Sequence, residues 1–209
     1  MFLIDNHSSD STVAIIRRLQ NEGCPVTLWH DNSVDFEQKH TTTMGVRRII
    51  DEYAPDLIMP LDADEFLMEN GRELRNELEE LPEGHCGLLE WQMFVTLSSD
   101  YLSFENPLWC NFRQRTKETC QLSKVVIPAA LAKKSKLSPG NLLLLDDNNH
   151  IVPHEGLTST LAHVPVCSSE QIAAKSIIGS IKHQITWNRK EGEGFHKDIM
   201  AKFFRTAAG

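Results

Sequence analysis

The chain opens on a short apolar run, Met1-Phe2-Leu3-Ile4, and breaks at once into a polar loop from Asp5 to Thr12. An apolar run followed by several candidate caps reads as a strand leading into a helix. Val13, Ile16, Leu19 and Gln20 then keep helical spacing, and Asn21-Glu22-Gly23 supplies a stop. Pro25 to His30 reads as a second strand, which predicts a β-α-β unit with two parallel neighbours joined by a right-handed crossover. A second helix is expected from Thr43 to Tyr53, with Val46, Ile49, Ile50 and Tyr53 turned inward and Pro55 ending it. Leu57-Ile58-Met59-Pro60-Leu61 is nearly all apolar, as suits a strand of a parallel sheet covered on both faces. Alternation of this kind predicts an α/β, Rossmann-like, mostly parallel sheet with helices on both faces and ligands beyond the carboxyl ends of the strands.

The second half reads differently. Gly71 to Leu81 is a charged amphipathic helix closed by Pro82-Glu83-Gly84. Residues 86–97 and 122–128 read as strands, separated by an irregular stretch rich in Ser, Asn and aromatics. Leu142 to Leu145, Asp146-Asp147-Asn148-Asn149 and His150-Ile151-Val152 form a hairpin by composition, with the aspartates as turn residues. A helix begins at Ser168 and carries Ile172, Lys175, Ile178 and Ile181. This divides the chain into one domain over 1–190 and a C-terminal helical tail over 191–209.

Composition narrows the function classes. The 209 residues suffice for a full core, and 41% hydrophobic with 24% charged residues is ordinary for a globular domain. A net charge of −8 without a basic block argues against nucleic acid as a partner. No apolar run nears the ~20 residues of a membrane span, and no signal-peptide pattern opens the chain. The five cysteines, Cys24, Cys86, Cys110, Cys120 and Cys167, are scattered as in a reduced, cytoplasmic protein.

The densest chemistry lies at Asp62-Ala63-Asp64-Glu65, three carboxylates within four positions after an apolar run. At a strand end, residues two apart point the same way, so Asp62 and Asp64 can project together. Two close carboxylates repel unless one is protonated or a cation stands between them, and Mg²⁺ or Mn²⁺ suits such oxygen ligands. The plainer alternative is a solvated acidic turn with Glu65 starting a helix. A cluster of His150, His154, Glu155 and His163 also raises a metallohydrolase, although Pro153 and Gly156 argue for a loop and no second His follows at helical ligand spacing.

Three blocks in order, Phe2 to Thr12, Leu61-Asp62-Ala63-Asp64-Glu65-Phe66-Leu67, and His163 to Gln171 with Lys175 beyond, resemble family-2-type glycosyltransferases of the GT-A fold. The likeness is to the subgroup whose signature reads Asp-Ala-Asp-Glu-Phe, and it covers roughly residues 1–185. It implies a nucleotide-diphospho-sugar transferase fold and transfer of a sugar, by an inverting route, from a nucleotide-sugar donor to a glycan, lipid-linked or protein acceptor. By the same resemblance, Asp62, Asp64 and His163 would hold Mn²⁺ or Mg²⁺ against the donor diphosphate, where the ion stabilises the leaving group. Asp5 and Asn6 occupy the slot for the nucleotide base, Lys124 and Lys175 are candidate phosphate partners, and Asp100 and Glu90 are candidates for the catalytic base. The chain departs from the family pattern in three places. The usual first strand with its Asn-Glu loop has no counterpart before Met1, Cys167 stands where an Arg is common, and Leu142 where a His is expected. These departures raise the alternative of an N-terminally short or catalytically silent GT-A domain that binds a nucleotide or partner.

Overall fold

The structure is a computed structural model, and it describes residues 1–32, 38–96, 112–114, 122–165 and 169–185, with 199 and 202. The 191–209 tail expected to be helical, Asp100 and Cys167 lie outside or almost wholly outside the described residues. The chain forms two compact units, Met1–Met59 with Ile127–Val152, and Pro60–Val126 with Pro153–Gly209.

In the first unit, strands β1 (Phe2–Asp5) and β2 (Thr27–His30) pair in parallel, from Phe2 opposite Thr27 to Asp5 opposite His30. Helix α1 (Thr12–Asn21) makes the crossover and buries Ile16, as its spacing predicts. Helix α2 (Gln38–Tyr53) buries Val46 and Ile50. A Cβ on Gly45 would stand 3.0 Å from Ile4 Cδ1, so glycine lets α2 lie close to β1. Tyr53, expected inward, is 53% exposed; its ring lies 4.7 Å from that of Phe2, which in turn contacts Trp29. Pro55 forbids another helical turn, and Ala54 leaves the helix at φ 43°.

The apolar run after α2 gives only the two-residue strand β3 (Leu57–Ile58), paired antiparallel with Ile127 and Pro128 of β7 (Ser123–Pro128). The buried parallel strand expected through Leu61 is thus of opposite sense, and it is shorter because Pro60 has no N–H to extend a ladder. A short helix α4 (Ala129–Ala132) follows, and β8 (Lys136–Leu137) pairs antiparallel with β9 (Leu144–Leu145). The hairpin turn expected at 146–149 is present. The Asp146 carboxylate accepts the N–H groups of Asn148 and His150, which gives that aspartate a local structural task.

The second unit is built on β4 (Glu65–Met68), β5 (Cys86–Thr96), β6 (Phe112–Gln114), the first four residues of β7, and β10 (His154–His163). The strand order is β7-β5-β10-β4, with β6 beside the far part of β5. Among the described residues of this unit β5–β10 is the parallel pair; β5–β7, β5–β6 and β4–β10 are antiparallel. The protein is therefore α/β, but the expected mostly parallel sheet is a mixed one. Leu89, Val125 and Leu161 are completely or almost completely buried in it. Helices α3 (Leu74–Glu79) and α5 (Ser169–Ile185) complete the unit, and no helix among the described residues is long and apolar enough to cross a membrane. A Cβ on Gly87 of β5 would fall 2.8 Å from Leu157 and 3.3 Å from Leu78, so a larger residue there would have to push these leucine side chains aside.

Strand β10 changes register against β5 between Gly156 and Thr160, which takes residues of that stretch out of the β5 ladder. The buried Glu77 of α3 fills this gap: its carboxylate accepts the N–H groups of Thr158 and Ser159 and the Ser159 hydroxyl. Burial alone would raise the Glu77 carboxyl, but these hydrogen bonds outweigh it and hold the group below the ordinary glutamate range. A folded-state value below the unfolded one means that the unfolded chain binds more protons in acid. The contribution of Glu77 is thus complete above the ordinary glutamate range and is lost as pH falls through the lowered value. Glu77→Ala should cost about 2–4 kcal/mol at pH 7, because buried N–H groups lose a charged acceptor. Urea unfolding from pH 7 to pH 3 should show this gap narrowing in acid; a loss below about 0.5 kcal/mol at pH 7 would mean water replaces the carboxylate.

Candidate functional site

Lys124 sets the site. It stands in the apolar strand Leu122-Ser123-Lys124-Val125-Val126-Ile127, and its side chain has no exposed surface. A lysine in that position must be answered by carboxylates, because an unpaired buried ammonium is prohibitively costly. Its Nζ lies 2.9 Å from Asp62 Oδ2 and 2.9 Å from Glu65 Oε1. Glu65 also binds its own loop: Oε2 accepts the Asp62 N–H at 2.9 Å, and its N–H donates to the Asp62 carbonyl at 3.1 Å. Residues 62–65 therefore form a turn closed twice and clamped from beneath by one ammonium. Glu65 does not begin a helix but the edge strand β4, where alternation turns Glu65 and Leu67 to one face.

Register explains what else gathers there. Lys124 is opposite Leu89, Trp91 is opposite Leu161, and His163 is opposite both Met93 and Glu65, so these residues share one face of the sheet. The rings of Trp91 and His163 stack with centroids 4.2 Å apart, and Lys124 Nζ lies 5.4 Å from the Trp91 ring centroid. Asp64 is anchored by its carbonyl, which accepts the Val164 N–H at 2.8 Å. Its Oδ2 receives Lys175 Nζ from α5 at 3.0 Å, and its Oδ1 faces His163 Nε2 at 3.8 Å. The Lys175 ammonium also donates to the Pro165 carbonyl at 3.0 Å.

Burial pushes the Glu65 carboxyl above its ordinary range, against the Asp62 N–H and Lys124, which favour the ionised form. Burial likewise pushes the His163 imidazole down, and this outweighs the pull of Asp64 and Asp62 in the other direction. The ring is then neutral near pH 7. Its Nδ1 is buried without a hydrogen-bond partner among the described residues, while Nε2 looks toward a carboxylate too distant for a hydrogen bond.

This donor set fits a divalent cation at Asp64 and His163. Asp64 would offer an anionic oxygen and His163, as a neutral imidazole, a lone pair. Among the described residues no three His, Cys, Asp or Glu side chains converge on one point, so such an ion would take its remaining ligands from water or substrate oxygens. Asp62, expected as a ligand beside them, directs Oδ2 to Lys124.

The other sequence candidates are dispersed. Glu90 is exposed and, next to Trp91 on β5, takes the opposite face from the cluster. Asp5 and Asn6 lie in the first unit, at the carboxyl end of β1. Asp5 is buried and accepts the Ser8 N–H at 3.2 Å, and His30 Nδ1 stands 3.4 Å away. The Ser8 hydrogen bond and then His30 hold its carboxyl below the ordinary range against burial. Asn6 donates to the Asp31 carbonyl at 3.2 Å. The metallohydrolase reading fails on geometry: His154 and His163 stand at opposite ends of β10, opposite Cys86 and Met93 of β5, which at ~3.3 Å per strand residue puts them roughly 23 Å apart. Sequence reasoning missed Glu65 and Trp91 as parts of the site. The signal for Glu65 was Lys124 itself, a charge inside an apolar strand that demands a buried partner.

No protein-family model matches the chain, and no curated protein is similar enough to it to count as a relative.

Replacing Lys124 by Met leaves Glu65 buried and Asp62 beside it without the cation that compensates them. The expected loss at pH 7 is about 3–5 kcal/mol. Because the Glu65 value is raised in the folded state, that state holds the extra proton, and stability from this group falls as pH rises through the raised value. The defect of Lys124→Met should therefore be smaller at pH 5 than at pH 8 in urea unfolding. A loss independent of pH would mean that Lys124 acts by packing alone.

Proposed function

We propose that the chain is a glycosyltransferase of the GT-A type that binds the diphosphate of a nucleotide-sugar together with Mn²⁺ or Mg²⁺. The observation that carries this reading is the Asp64–His163 pair, a carboxylate oxygen 3.8 Å from a neutral imidazole, with Asp64 at the centre of an Asp-Ala-Asp-Glu-Phe segment. The resemblance in three ordered blocks, two of which contain Asp64 and His163, supports the same reading. A divalent cation bound there would offset charge on the departing nucleoside diphosphate.

The chain's own residues have separable tasks. Lys124 and Glu65 hold the 62–65 turn rigid, so that Asp64 is presented at a fixed position. The Trp91 ring supports His163 from one side and limits its rotation. Lys175, half exposed, is the cation able to meet a phosphate oxygen, whereas Lys124 directs its charge inward. The fixed geometry favours positioning and electrostatic stabilisation of a leaving group over covalent chemistry.

A second reading, a catalytically silent nucleotide-binding GT-A-like domain, draws on one observation: each aspartate already faces a lysine ammonium. Melting temperatures with a panel of nucleoside diphosphates, in Mn²⁺ and in EDTA, separate the two. For the transferase reading, one diphosphate at a hundred times its Kd should add about 2.7 kcal/mol, or roughly 5–10 °C, only with the metal present. Asp64→Ala should lose that rise. Equal rises in Mn²⁺ and EDTA would favour the silent domain, and no rise with any nucleotide would remove both readings.

A further inference from the structure

The two lysines of the cluster differ in one respect that bears on how ligands enter. Lys124 has no exposed surface and touches two carboxylates, one of them fully buried; nothing from solvent can compete for it. Lys175 has half its side chain in solvent, and its ammonium is held by one Asp64 oxygen and one backbone carbonyl. An exposed ion pair of that kind contributes little and is readily exchanged.

We propose that Lys175 is an exchangeable counter-ion of Asp64: a divalent cation displaces its ammonium from the carboxylate, and the freed ammonium then takes an anionic oxygen of the diphosphate held by that cation. This inference rests on the donor-site reading above and adds an order of events and a cost to it. A dication between Asp64 Oδ1 and His163 Nε2 stands beside an ammonium already 3.0 Å from the other oxygen of the same carboxylate. Like charges at that range repel, so the metal alone binds at the expense of the Asp64–Lys175 contact. The lysine stem is flexible, and a diphosphate offers the displaced ammonium a stronger anion than water does. Metal and diphosphate binding thereby become coupled through one side chain, and such coupling is reciprocal. Lys175 opposes the metal when it comes alone and favours the diphosphate once the metal is in place. A simple phosphate-binding lysine would do only the second.

The two effects have opposite signs and are read directly. Free Mn²⁺ is followed by electron paramagnetic resonance with the full chain, first alone and then with inorganic pyrophosphate. Lys175→Met should bind Mn²⁺ alone roughly tenfold more tightly than the parent, through loss of the competing charge. Lys175→Arg, which keeps that charge, should stay within about twofold of the parent. At saturating Mn²⁺, pyrophosphate should bind Lys175→Met roughly tenfold more weakly than the parent. Matching circular dichroism and metal-free melting of the three proteins would confirm that this half-exposed position tolerates the changes. Equal or weaker Mn²⁺ binding by Lys175→Met overturns the exchange while the metal site stands. Tighter Mn²⁺ with unchanged pyrophosphate affinity overturns the handover. Absence of Mn²⁺ binding in every protein, with and without pyrophosphate, overturns the donor-site reading itself.

Discussion

A lysine ammonium with no exposure to solvent has few ways to persist, and the second unit is arranged around supplying one. Lys124 is the second residue of the largely buried strand β7, and its two partners, Asp62 and Glu65, are the first and last residues of one tight turn. The sheet supplies the alignment, since β5 and β10 lie between β7, which carries Lys124, and β4, which begins at Glu65. A shift of one residue in β7 would turn Lys124 to the opposite face and leave Glu65 without a cation. Strand register and the electrostatics of the site thus depend on each other.

The same arrangement changes what an acidic triplet means. Three carboxylates in four positions look, as a string, like a site for a strong cation. In the folded protein two of the three meet an internal cation, and only Asp64 looks toward a neutral imidazole and an exposed lysine. A fixed charge holds the turn, and under the proposed function the exposed one would answer the ligand. Such a division would suit a site that binds a nucleotide-sugar firmly and still releases the nucleoside diphosphate. The Trp91 ring packs against His163 at a 31° tilt and closes off one side of the imidazole.

The sequence showed the α/β class because the β1–α1–β2 unit is local: its apolar spacing, caps and crossover all lie within one short segment. It also brought Asp62, Asp64, Lys124, His163 and Lys175 forward as chemistry-bearing residues, and the fold does assemble them in one unit. What stayed hidden depends on pairing between distant strands. The sense of β3 follows from its meeting Ile127 and Pro128, about seventy positions on, which no local pattern encodes. The mixed sheet arises the same way, since antiparallel pairing of β7 and β4 with their neighbours is a tertiary choice. The parts Glu65 and Trp91 play went unread because each is ordinary in its own segment, a charge after an acidic pair and an aromatic in a strand. Their role appears only when register sets them beside Lys124 and His163. Glu77 is similar: its purpose is to satisfy a bulge in a strand some eighty residues later.

The central claim is that Asp64 and His163 form a cation-assisted diphosphate site above a turn clamped by Lys124. Crystals grown with Mn²⁺ and inorganic pyrophosphate, measured at the manganese absorption edge, test it most directly. One anomalous peak is expected between Asp64 and His163, with Lys175 turned from Asp64 to a pyrophosphate oxygen and Lys124 still on Asp62 and Glu65. A peak elsewhere on the chain, or ordered pyrophosphate bound without manganese while Lys175 stays on Asp64, would contradict it.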